Sequence, residues 1–395
     1  MYRIQTLNNI SAAGLERLPR DLYEVASEFS EPDAIMLRSA NMHDLEIPAS
    51  VKAIARAGAG VNNIPVARMS ERGIPVFNAP GANANAVKEL VLAGLFLAAR
   101  NIVQSWDYAR GLEGGDSELQ KQVEAGKKRY KGFELPGRTL GVIGLGAIGV
   151  AVANAARDLG MQVLGYDPAI TVNNAWRLHA SVAQAMSVDD LMARSDFVTL
   201  HVPLIDATRG LVNAERIALM REGASLLNFS RDAIVDEAAV LAALNSETLH
   251  AYVCDFPSQA AKHHPGVIAL PHLGASTQEA EDNCAVMVAE QLRDFLEVGN
   301  VRNAVNFPEA LMPPSDGAHR IAIVNANVPN MVGQISSALA RHGLNISDLL
   351  NKSKQNVAYS VVDVDSPAPE AVLDEIGHVE GVLSVRYLNA VHEWR

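Results

Sequence analysis

The segment Leu140-Gly-Val-Ile-Gly-Leu-Gly-Ala-Ile-Gly149 decides the fold, because an apolar run ends there in a glycine pattern. Gly144, Gly146 and Gly149 have the G-x-G-x-x-G spacing of a turn between a buried strand and a helix. In such a turn the first glycine allows the bend, the second lets the backbone approach a pyrophosphate, and the third lets the helix pack on the strand. The N–H groups at the helix start then face the phosphates. The segment therefore predicts a dinucleotide-binding fold.

A carboxylate follows this turn at the position where dinucleotide folds bind the adenine ribose. Asp167 lies 18 residues after Gly149, where its oxygens can accept hydrogen bonds from the ribose hydroxyls. Because an acid repels a 2′-phosphate, we predict NAD rather than NADP as the cofactor. The alternative is a glycine turn with a purely structural role.

Composition limits the remaining classes. The 395-residue chain is 49% hydrophobic and 20% charged, which is typical of globular proteins. Its net charge of −12 argues against nucleic acid or an anionic membrane as a partner. Two cysteines, Cys254 and Cys284, provide neither a disulfide framework nor a metal site. The N-terminus lacks signal-peptide character, and the longest apolar run, Leu90 to Ala99, is too short to span a membrane. We expect a cytoplasmic protein without a metal.

Alternating strand and helix patterns predict an α/β chain with two doubly wound parallel sheets. The first sheet is expected from apolar runs at residues 34–37, 51–54 and 73–77, followed by a helix at about 85–100. The second begins with the glycine segment, and its strands are expected at 139–144, 162–166, 196–201, 224–228, 250–254 and 267–270. One long helix is expected at 276–299.

The end of the chain has a different pattern. A proline-containing linker at 306–317, with Pro308, Pro313, Pro314, Ser315, Asp316 and Gly317, precedes a separate module of residues 318–395. Strands are expected at 320–326, 345–352, 357–364 and 382–388, with helices at 331–342 and 368–376. This β-α-β-β-α-β order predicts a ferredoxin-like fold.

Two polar segments follow predicted strands of the second sheet, Asn228-Phe-Ser-Arg-Asp232 and Pro271-His-Leu-Gly-Ala-Ser-Thr277. Ligands of parallel sheets bind beyond the carboxyl ends of the strands, so Arg231 and His272 could share a crevice there. An arginine fork suits a carboxylate, and a histidine can exchange a proton with a hydroxyl. With NAD, these groups suit oxidation of a 2-hydroxy acid. The spacing alone also permits a surface arginine and a capping histidine.

Several motifs together carry a family resemblance. They are the glycine turn, Arg56-Ala-Gly-Ala-Gly-Val-Asn-Asn63, Phe77-Asn-Ala-Pro-Gly-Ala-Asn83, His201-Val-Pro203, Asn228-Phe-Ser-Arg231 and Pro271-His-Leu-Gly-Ala-Ser-Thr277. With them, in order over most of residues 35–310, the chain resembles the D-2-hydroxyacid dehydrogenases, and its tail resembles an ACT regulatory domain. The resemblance implies a flavodoxin-like substrate domain of residues 1–102 and 275–305, with a Rossmann-like cofactor domain of residues 103–274 inserted into it.

The resemblance also implies residue roles. His272 is expected to be the acid/base, and Arg231 to bind the substrate on the nicotinamide side. Further expected cofactor contacts are Ala147 and Ile148 at the pyrophosphate, with His201, Pro203 and Thr208 along the cofactor. Expected substrate contacts are Arg38, Arg56 and Asn83. Lys88 departs from the family, which usually has a small residue at this position, and its cation could reach a phosphate or could simply face solvent.

One family feature is replaced in this chain. The family pairs its catalytic histidine with a glutamate, but Gln259 stands at that position in Cys254-Asp-Phe-Pro-Ser-Gln-Ala260. Asp255 matches, with a one-residue deletion, the family aspartate that touches the nicotinamide amide. We therefore consider two hypotheses: the pKa of His272 is lower than in relatives, or another carboxylate substitutes for the glutamate.

The tail implies regulation and assembly. Asn327 and Asn345 match positions that bind an effector amino acid, often serine, and Asn325 stands where a histidine is often found. The module could instead serve only to assemble an oligomer. Because members of the family dimerise through the cofactor domain, we expect a homodimer or homotetramer.

The resemblance implies D-3-phosphoglycerate as the substrate, oxidised to 3-phosphohydroxypyruvate in the first step of serine synthesis. Arg38 and Arg56 together suit an acid with both a carboxylate and a phosphate. One alternative is the same chemistry on glyoxylate, hydroxypyruvate or erythronate-4-phosphate. Another is a binding protein that senses NADH without catalysis, which the missing glutamate allows and which Arg231 and His272 disfavour.

Overall fold

The computed structural model describes residues 1–313, 315 and 319–388. The chain forms two compact units, one of Met1–Asn83 with Gln278–Arg395 and one of Ala84–Thr277. The second unit is thus inserted in the sequence of the first. The helix that begins at residue 84 is grouped with the second unit, whereas the predicted domain boundary lies at residue 102. Pro314, Asp316 and Gly317 of the predicted linker lie outside the described residues.

The first unit contains a parallel sheet in the flavodoxin-like order β2-β1-β3-β4-β5. Its strands are β1 (Tyr2–Thr6), β2 (Tyr23–Ala26), β3 (Ala34–Leu37), β4 (Ala53–Arg56) and β5 (Val76–Phe77), with helices α1 (Ala12–Leu15) and α2 (Val66–Glu71). β4 begins two residues later than predicted, because Val51 still belongs to a turn closed on Pro48. β5 is short because Pro75, just before it, has no N–H for the sheet.

The second unit contains a parallel sheet in the order β12-β11-β10-β9-β6-β7-β8. Its strands are β6 (Thr139–Ile143), β7 (Gln162–Tyr166), β8 (Ala183–Gln184), β9 (Phe197–Leu200), β10 (Ala224–Asn228), β11 (Leu249–Cys254) and β12 (Val267–Ala269). Its helices are α3 (Ala84–Arg100), α4 (Ile102–Arg110), α5 (Asp116–Gly126), α6 (Ala147–Asp158), α7 (Val172–Arg177), α8 (Val188–Arg194), α9 (Ala214–Ile217) and α10 (Glu237–Asn245). The chain order reverses between β6 and β9, which is the ligand-binding switch point of this fold.

The first unit continues with α11 (Gln278–Arg293), a π-helical turn (Asp294–Val298) and Gly299 at φ 79°. The single helix predicted for 276–299 is therefore divided into an α-helix and a wider last turn. The C-terminal module follows, with β13 (His319–Ala326), α12 (Met331–Arg341), β14 (Ile346–Lys354), β15 (Val357–Val364), α13 (Glu370–Gly377) and β16 (Val382–Leu388). Its antiparallel sheet has the order β14-β15-β13-β16, which confirms the predicted ferredoxin-like topology.

The C-terminal sheet is covered on both faces by its own unit. One face packs on α12 and α13 through residues such as Ile323 and Val362. The other joins the hydrophobic core around α11, where Tyr359 lies against Phe295 and Phe307. This packing makes the module part of the core of its unit.

A buried ion pair joins β13 and β15 of this sheet. Arg320 donates to both carboxylate oxygens of Asp363, over 2.7 and 2.8 Å, and to the carbonyls of Val298, Met312 and Pro313. Both side chains are 1% exposed. The arginine thus ties the module to the chain that follows α11.

Among the described residues, no helix is long and apolar enough to cross a membrane. Cys254 and Cys284 are free thiols, and both are buried.

Candidate active site

The glycine turn has the geometry that its spacing predicts. Gly144 adopts φ 92°, and a Cβ there would lie 2.4 Å from the carbonyl oxygen of His201. A Cβ on Gly149 would lie 1.9 Å from the Gly144 carbonyl oxygen, so α6 could not approach the turn with a larger residue. A Cβ on Gly146 would meet nothing within 4 Å. The backbone at Gly146, where α6 begins, is therefore open to a ligand, and its free N–H groups suit a pyrophosphate.

Asp167 follows β7 and is held against this turn. Its Oδ2 accepts a hydrogen bond of 2.8 Å from the Leu145 N–H, and its Oδ1 accepts one of 2.9 Å from the Ala169 N–H. These bonds fix the carboxylate beside the turn, where the fold places an adenine ribose. The residues around Gly146 and Asp167 therefore fit a dinucleotide.

The next predicted cofactor residues follow β9. His201 Nε2 lies 3.0 Å from Thr199 Oγ1, and burial lowers the pKa of His201 to about 3, so its imidazole is neutral at physiological pH. The Thr208 hydroxyl donates to the Pro203 carbonyl oxygen, and it accepts from the N–H of Ile205. Thr208 thus closes the loop that holds Pro203.

Arg231 follows β10, the strand next to β9. The Asn228 side chain is buried and accepts from the Ser230 N–H while it donates to the Arg231 carbonyl. The Ser230 hydroxyl donates to the Leu200 carbonyl at the end of β9. This network shapes the backbone so that the Arg231 side chain emerges exposed, with Nη1 on the Ser230 carbonyl.

His272 lies beside a buried carboxylate from the end of β11. Its Nδ1 is 3.2 Å from Asp255 Oδ2, with the aspartate side chain fully buried and the histidine side chain 61% exposed. Among the described residues, no group donates a hydrogen bond to either Asp255 oxygen. The approach is at ion-pair distance without hydrogen-bond alignment, and such contacts often tighten when a substrate binds.

This carboxylate changes the proton affinity of the histidine. The contact with Asp255 raises the pKa of His272, while partial burial and the nearby Arg231 charge lower it to a smaller extent. The Phe256 ring lies against the imidazole, with ring centroids 5.2 Å apart. Nδ1 therefore faces Asp255, and Nε2 is left to exchange a proton with a ligand.

Gln259 does not take part in this arrangement. Its side chain is exposed, and it stands where the family glutamate was expected. Of the two hypotheses for His272, the raised pKa favours a substitute carboxylate, and the carboxylate beside His272 is that of Asp255. The sequence signal was available, because Asp255 directly follows the buried strand β11.

Two predicted substrate residues lie side by side in the first unit. Arg38 follows β3, and Arg56 ends the neighbouring strand β4. Arg56 Nε donates to the Arg38 carbonyl over 3.0 Å. Arg38 Nη1 lies 2.7 Å from Glu281 Oε1 on α11, a contact that the sequence analysis did not anticipate.

The other two predicted substrate residues differ in their surroundings. Asn83 Oδ1 is buried and accepts no hydrogen bond from the described residues, so it remains available to a donor. Lys88, in the second unit, donates to Asn85 Oδ1 over 2.6 Å and lies 3.9 Å from the Glu89 carboxylate. Its side chain is 22% exposed, which differs from a fully solvated lysine.

The three asparagines predicted to bind an effector do not converge within one chain. Asn325 is buried near the end of β13, and Asn327 donates to the Gln355 carbonyl just beyond it. Asn345 precedes β14 at the opposite end of the sheet, where Ile346 pairs with Val364. Asn325 pairs with Ala358, and six residues along a strand correspond to about 20 Å. One small ligand in one chain therefore cannot contact all three.

Most of the second unit matches a known protein family. Residues 102–274 match the family profile described as "D-isomer specific 2-hydroxyacid dehydrogenase, NAD binding domain". This match confirms NAD as the cofactor, which the glycine turn and Asp167 predict.

Two curated relatives are both named D-3-phosphoglycerate dehydrogenase. The protein from Methanocaldococcus jannaschii is 37% identical over 294 residues, which cover 72% of this chain and 54% of the relative. The protein from Haemophilus influenzae is 32% identical over 340 residues, which cover 83% of this chain and 79% of the relative. The chain thus spans about half the length of the first relative and most of the second.

Solved structures share the fold. The NAD⁺-bound 3-phosphoglycerate dehydrogenase of Entamoeba histolytica aligns with a TM-score of 0.59 and 26% identity, covering 77% of this chain and 98% of that one. The apo D-mandelate dehydrogenase of Rhodotorula graminis aligns with a TM-score of 0.67 and 23% identity, covering 80% and 99%. The second alignment shows the fold alone.

Proposed function

Because the chain belongs to the D-isomer specific 2-hydroxyacid dehydrogenase family, we propose that it oxidises D-3-phosphoglycerate to 3-phosphohydroxypyruvate with NAD. The observation that carries the chemistry is the pairing of His272 with the buried Asp255 at the strand ends, with Arg231 close by. Relatives named D-3-phosphoglycerate dehydrogenase support the choice of substrate.

The proposed reaction divides the work between two side chains. Arg231 binds the substrate carboxylate and the oxygen on C2 through its N–H fork. His272 Nε2 accepts the hydroxyl proton as the C–H bond at C2 breaks. NAD, when bound, supplies the hydride acceptor. The result is a 2-oxo acid, with one proton on His272 for each substrate oxidised.

Asp255 acts through His272. Its carboxylate holds Nδ1 in the protonated form, which leaves Nε2 free as the base. It also stabilises the imidazolium that forms, which is the role that the family assigns to a glutamate. The buried position of Asp255 strengthens this interaction, because the surroundings screen it poorly. This role is an alternative to the nicotinamide-amide contact expected from the sequence.

Arg38, Arg56, Asn83 and Lys88 are proposed to hold the anionic substrate. Arg38 and Arg56 stand together at the carboxyl ends of neighbouring parallel strands, which is where such sheets bind ligands. A carboxylate and a phosphate require several cationic donors, so these groups favour a phosphorylated acid over glyoxylate or hydroxypyruvate.

Steady-state kinetics of the full chain test the proposal. We expect NADH formation from D-3-phosphoglycerate and NAD, with a larger kcat/KM than for D-glycerate or D-lactate. Loss of turnover in His272→Ala, with NADH binding retained, would support catalysis. A higher kcat/KM for an unphosphorylated acid would overturn the substrate assignment, and NADH binding without turnover on any acid would favour a sensor.

The same assay with L-serine tests the proposed effector site. Because Asn345 lies far from Asn325 and Asn327 within one chain, an effector that uses both ends of the sheet would need two copies of the module. We expect inhibition that weakens in Asn345→Ala. Kinetics that serine does not change would restrict the module to a structural role.

We also propose that the chain forms a homodimer or homotetramer through the second unit. Helix α4 has no buried residue in the single chain, and Ile102, Val103 and Trp106 are exposed there, with Phe96 on α3. A patch of this kind marks a protein contact. Light scattering of wild type and Trp106→Glu is expected to show an oligomer and its dissociation. A monomeric wild type would contradict the proposal.

A further inference from the structure

We propose that Glu281 is a positioning residue for substrate binding, which holds one edge of the Arg38 guanidinium and leaves the other edge open for the substrate anion. This inference rests on the proposed function, in which Arg38 contacts the substrate. Glu281 lies on α11, outside the motifs that carry the family resemblance.

The contact between the two side chains uses only part of Arg38. Nη1 lies 2.7 Å from Glu281 Oε1, and the two side chains are 38% and 37% exposed. Among the described residues, Nε and Nη2 of Arg38 donate to no protein acceptor. Since a guanidinium binds a carboxylate or phosphate through two parallel N–H groups, Arg38 has such a pair available while Nη1 is held.

The backbone of Arg38 is also fixed. Its N–H donates to Asn8 Oδ1 over 3.2 Å, and its carbonyl accepts from Arg56 Nε and from Asn63 Nδ2. A fixed backbone still leaves a long side chain with many rotamers. Immobilising such a side chain costs conformational entropy, and Glu281 removes part of this cost before the substrate arrives.

The position of Glu281 on α11 supports a role in the site. It lies in the first turn of α11, nine residues after His272 in sequence. α11 is packed along its length, with Ala285, Val288 and Leu292 buried in the core of the first unit. Glu281 is therefore carried by a rigid element, as a residue that orients another requires.

A carboxylate beside an anion site could also act in the opposite direction. It would then repel the substrate or compete with it for Arg38. The closest contact of Glu281 is to Nη1, which argues for orientation, because a competitor would bond the Nε–Nη2 edge that the substrate needs. The two roles predict opposite changes in KM.

The test compares Glu281→Ala and Glu281→Gln with wild type, at about 0.15 M salt so that long-range charge effects are screened. Because the pair is partly exposed, we expect the KM for 3-phosphoglycerate to rise about fivefold in Glu281→Ala. Gln keeps an acceptor oxygen, so its KM should lie between those of wild type and Ala. The kcat and the KM for NAD should stay near wild type.

Glu279→Gln is the matched control. Glu279 is exposed in the same first turn of α11, so its removal changes the charge at the helix start equally without touching Arg38. We expect its KM to equal that of wild type. If the KM changes in Glu279→Gln as well as in Glu281→Gln, the effect comes from the charge at the helix terminus, and the inference is overturned.

A double-mutant cycle with Arg38→Gln separates this inference from the proposed function. If Glu281 acts through Arg38, Arg38→Gln with Glu281→Ala should have the KM of Arg38→Gln alone. An unchanged KM in Arg38→Gln would show that the proposed substrate site is wrong. A raised KM in Arg38→Gln, with an unchanged or lowered KM in Glu281→Ala, would overturn the positioning role alone. If another 2-hydroxy acid proves to be the substrate, the same variants are measured on that acid.

Discussion

Two buried aspartates of this molecule, Asp363 and Asp255, each face a basic side chain in very different surroundings. Asp363 accepts two hydrogen bonds from Arg320, whose other N–H groups reach backbone carbonyls. Asp255 lies 3.2 Å from the exposed His272 and, within the described chain, accepts no hydrogen bond. The first pair, Arg320 and Asp363, is satisfied by hydrogen bonds within the protein and is called the closed pair. In the second, the open pair of His272 and Asp255, the carboxylate keeps unused hydrogen-bonding capacity.

The difference separates stability from function. A buried charge is tolerated when its donors and acceptors are satisfied, and removing one partner of such a pair is strongly destabilising. A buried carboxylate with unused acceptor capacity costs free energy of folding, and such groups cluster at functional sites. We therefore expect Asp363 to matter for folding and Asp255 to matter for catalysis.

Breaking the closed pair should give the largest effect. Arg320→Met leaves the Asp363 charge buried without a partner, and we expect a loss of about 3–5 kcal/mol in the free energy of unfolding. Urea denaturation measures it. The double variant Arg320→Met with Asp363→Leu should recover most of the loss, because it removes the buried charge as well. A single-variant loss below about 1 kcal/mol would place this pair with ordinary surface pairs.

Neutralising the open pair should affect catalysis instead. In Asp255→Asn we expect kcat/KM at neutral pH to fall about 100-fold, within the usual range for acid–base catalysis. The melting temperature should be unchanged or higher, because a desolvated charge is removed. If Asp255→Asn instead has a lowered melting temperature and loses activity because it unfolds, the division of roles between the two aspartates is contradicted.

The position that the family gives to the glutamate should matter less than Asp255. Because Gln259 is exposed and forms no hydrogen bond with His272 among the described residues, Gln259→Glu should leave the acidic limb of the kcat/KM profile nearly unmoved. A clear shift of that limb to higher pH would show that residue 259 reaches His272 in solution.

An exposed pair of the same module should give the smallest effect. Arg341 bonds Glu375 at the surface, and together with His342 it lowers the pKa of this carboxyl. Solvent already stabilises both charges, so Arg341→Ala should leave the urea midpoint within error of wild type. A loss as large as that of Arg320→Met would contradict the view that burial makes the difference.

Much of the fold could be predicted from local sequence patterns. The glycine turn, the alternating strands of the second sheet and the β-α-β-β-α-β tail are periodic features, and the structure has them. The start of β4 and the short β5 were missed because turns and Pro75 override apolar patterning there. The π-helical turn after Arg293 is a local widening of the helix, and the apolar periodicity of the sequence does not indicate it.

The site was predictable in its residue types and less so in its pairings. Arg231 and His272 follow strands and belong to motifs, so sequence alone could select them. The contacts of His272 with Asp255 and of Arg38 with Glu281 join residues that are distant in sequence. Such contacts depend on where strands and helices end relative to one another, which no local pattern determines.

The pH dependence of kcat/KM for oxidation, in wild type and Asp255→Asn, tests the central claim most directly. Oxidation needs neutral His272, so activity rises with pH through the pKa of this residue. Asp255 raises that pKa. The account therefore predicts that the acidic limb moves to lower pH in Asp255→Asn, while the plateau falls. An acidic limb at the same pH in both proteins would show that Asp255 is not the partner of His272.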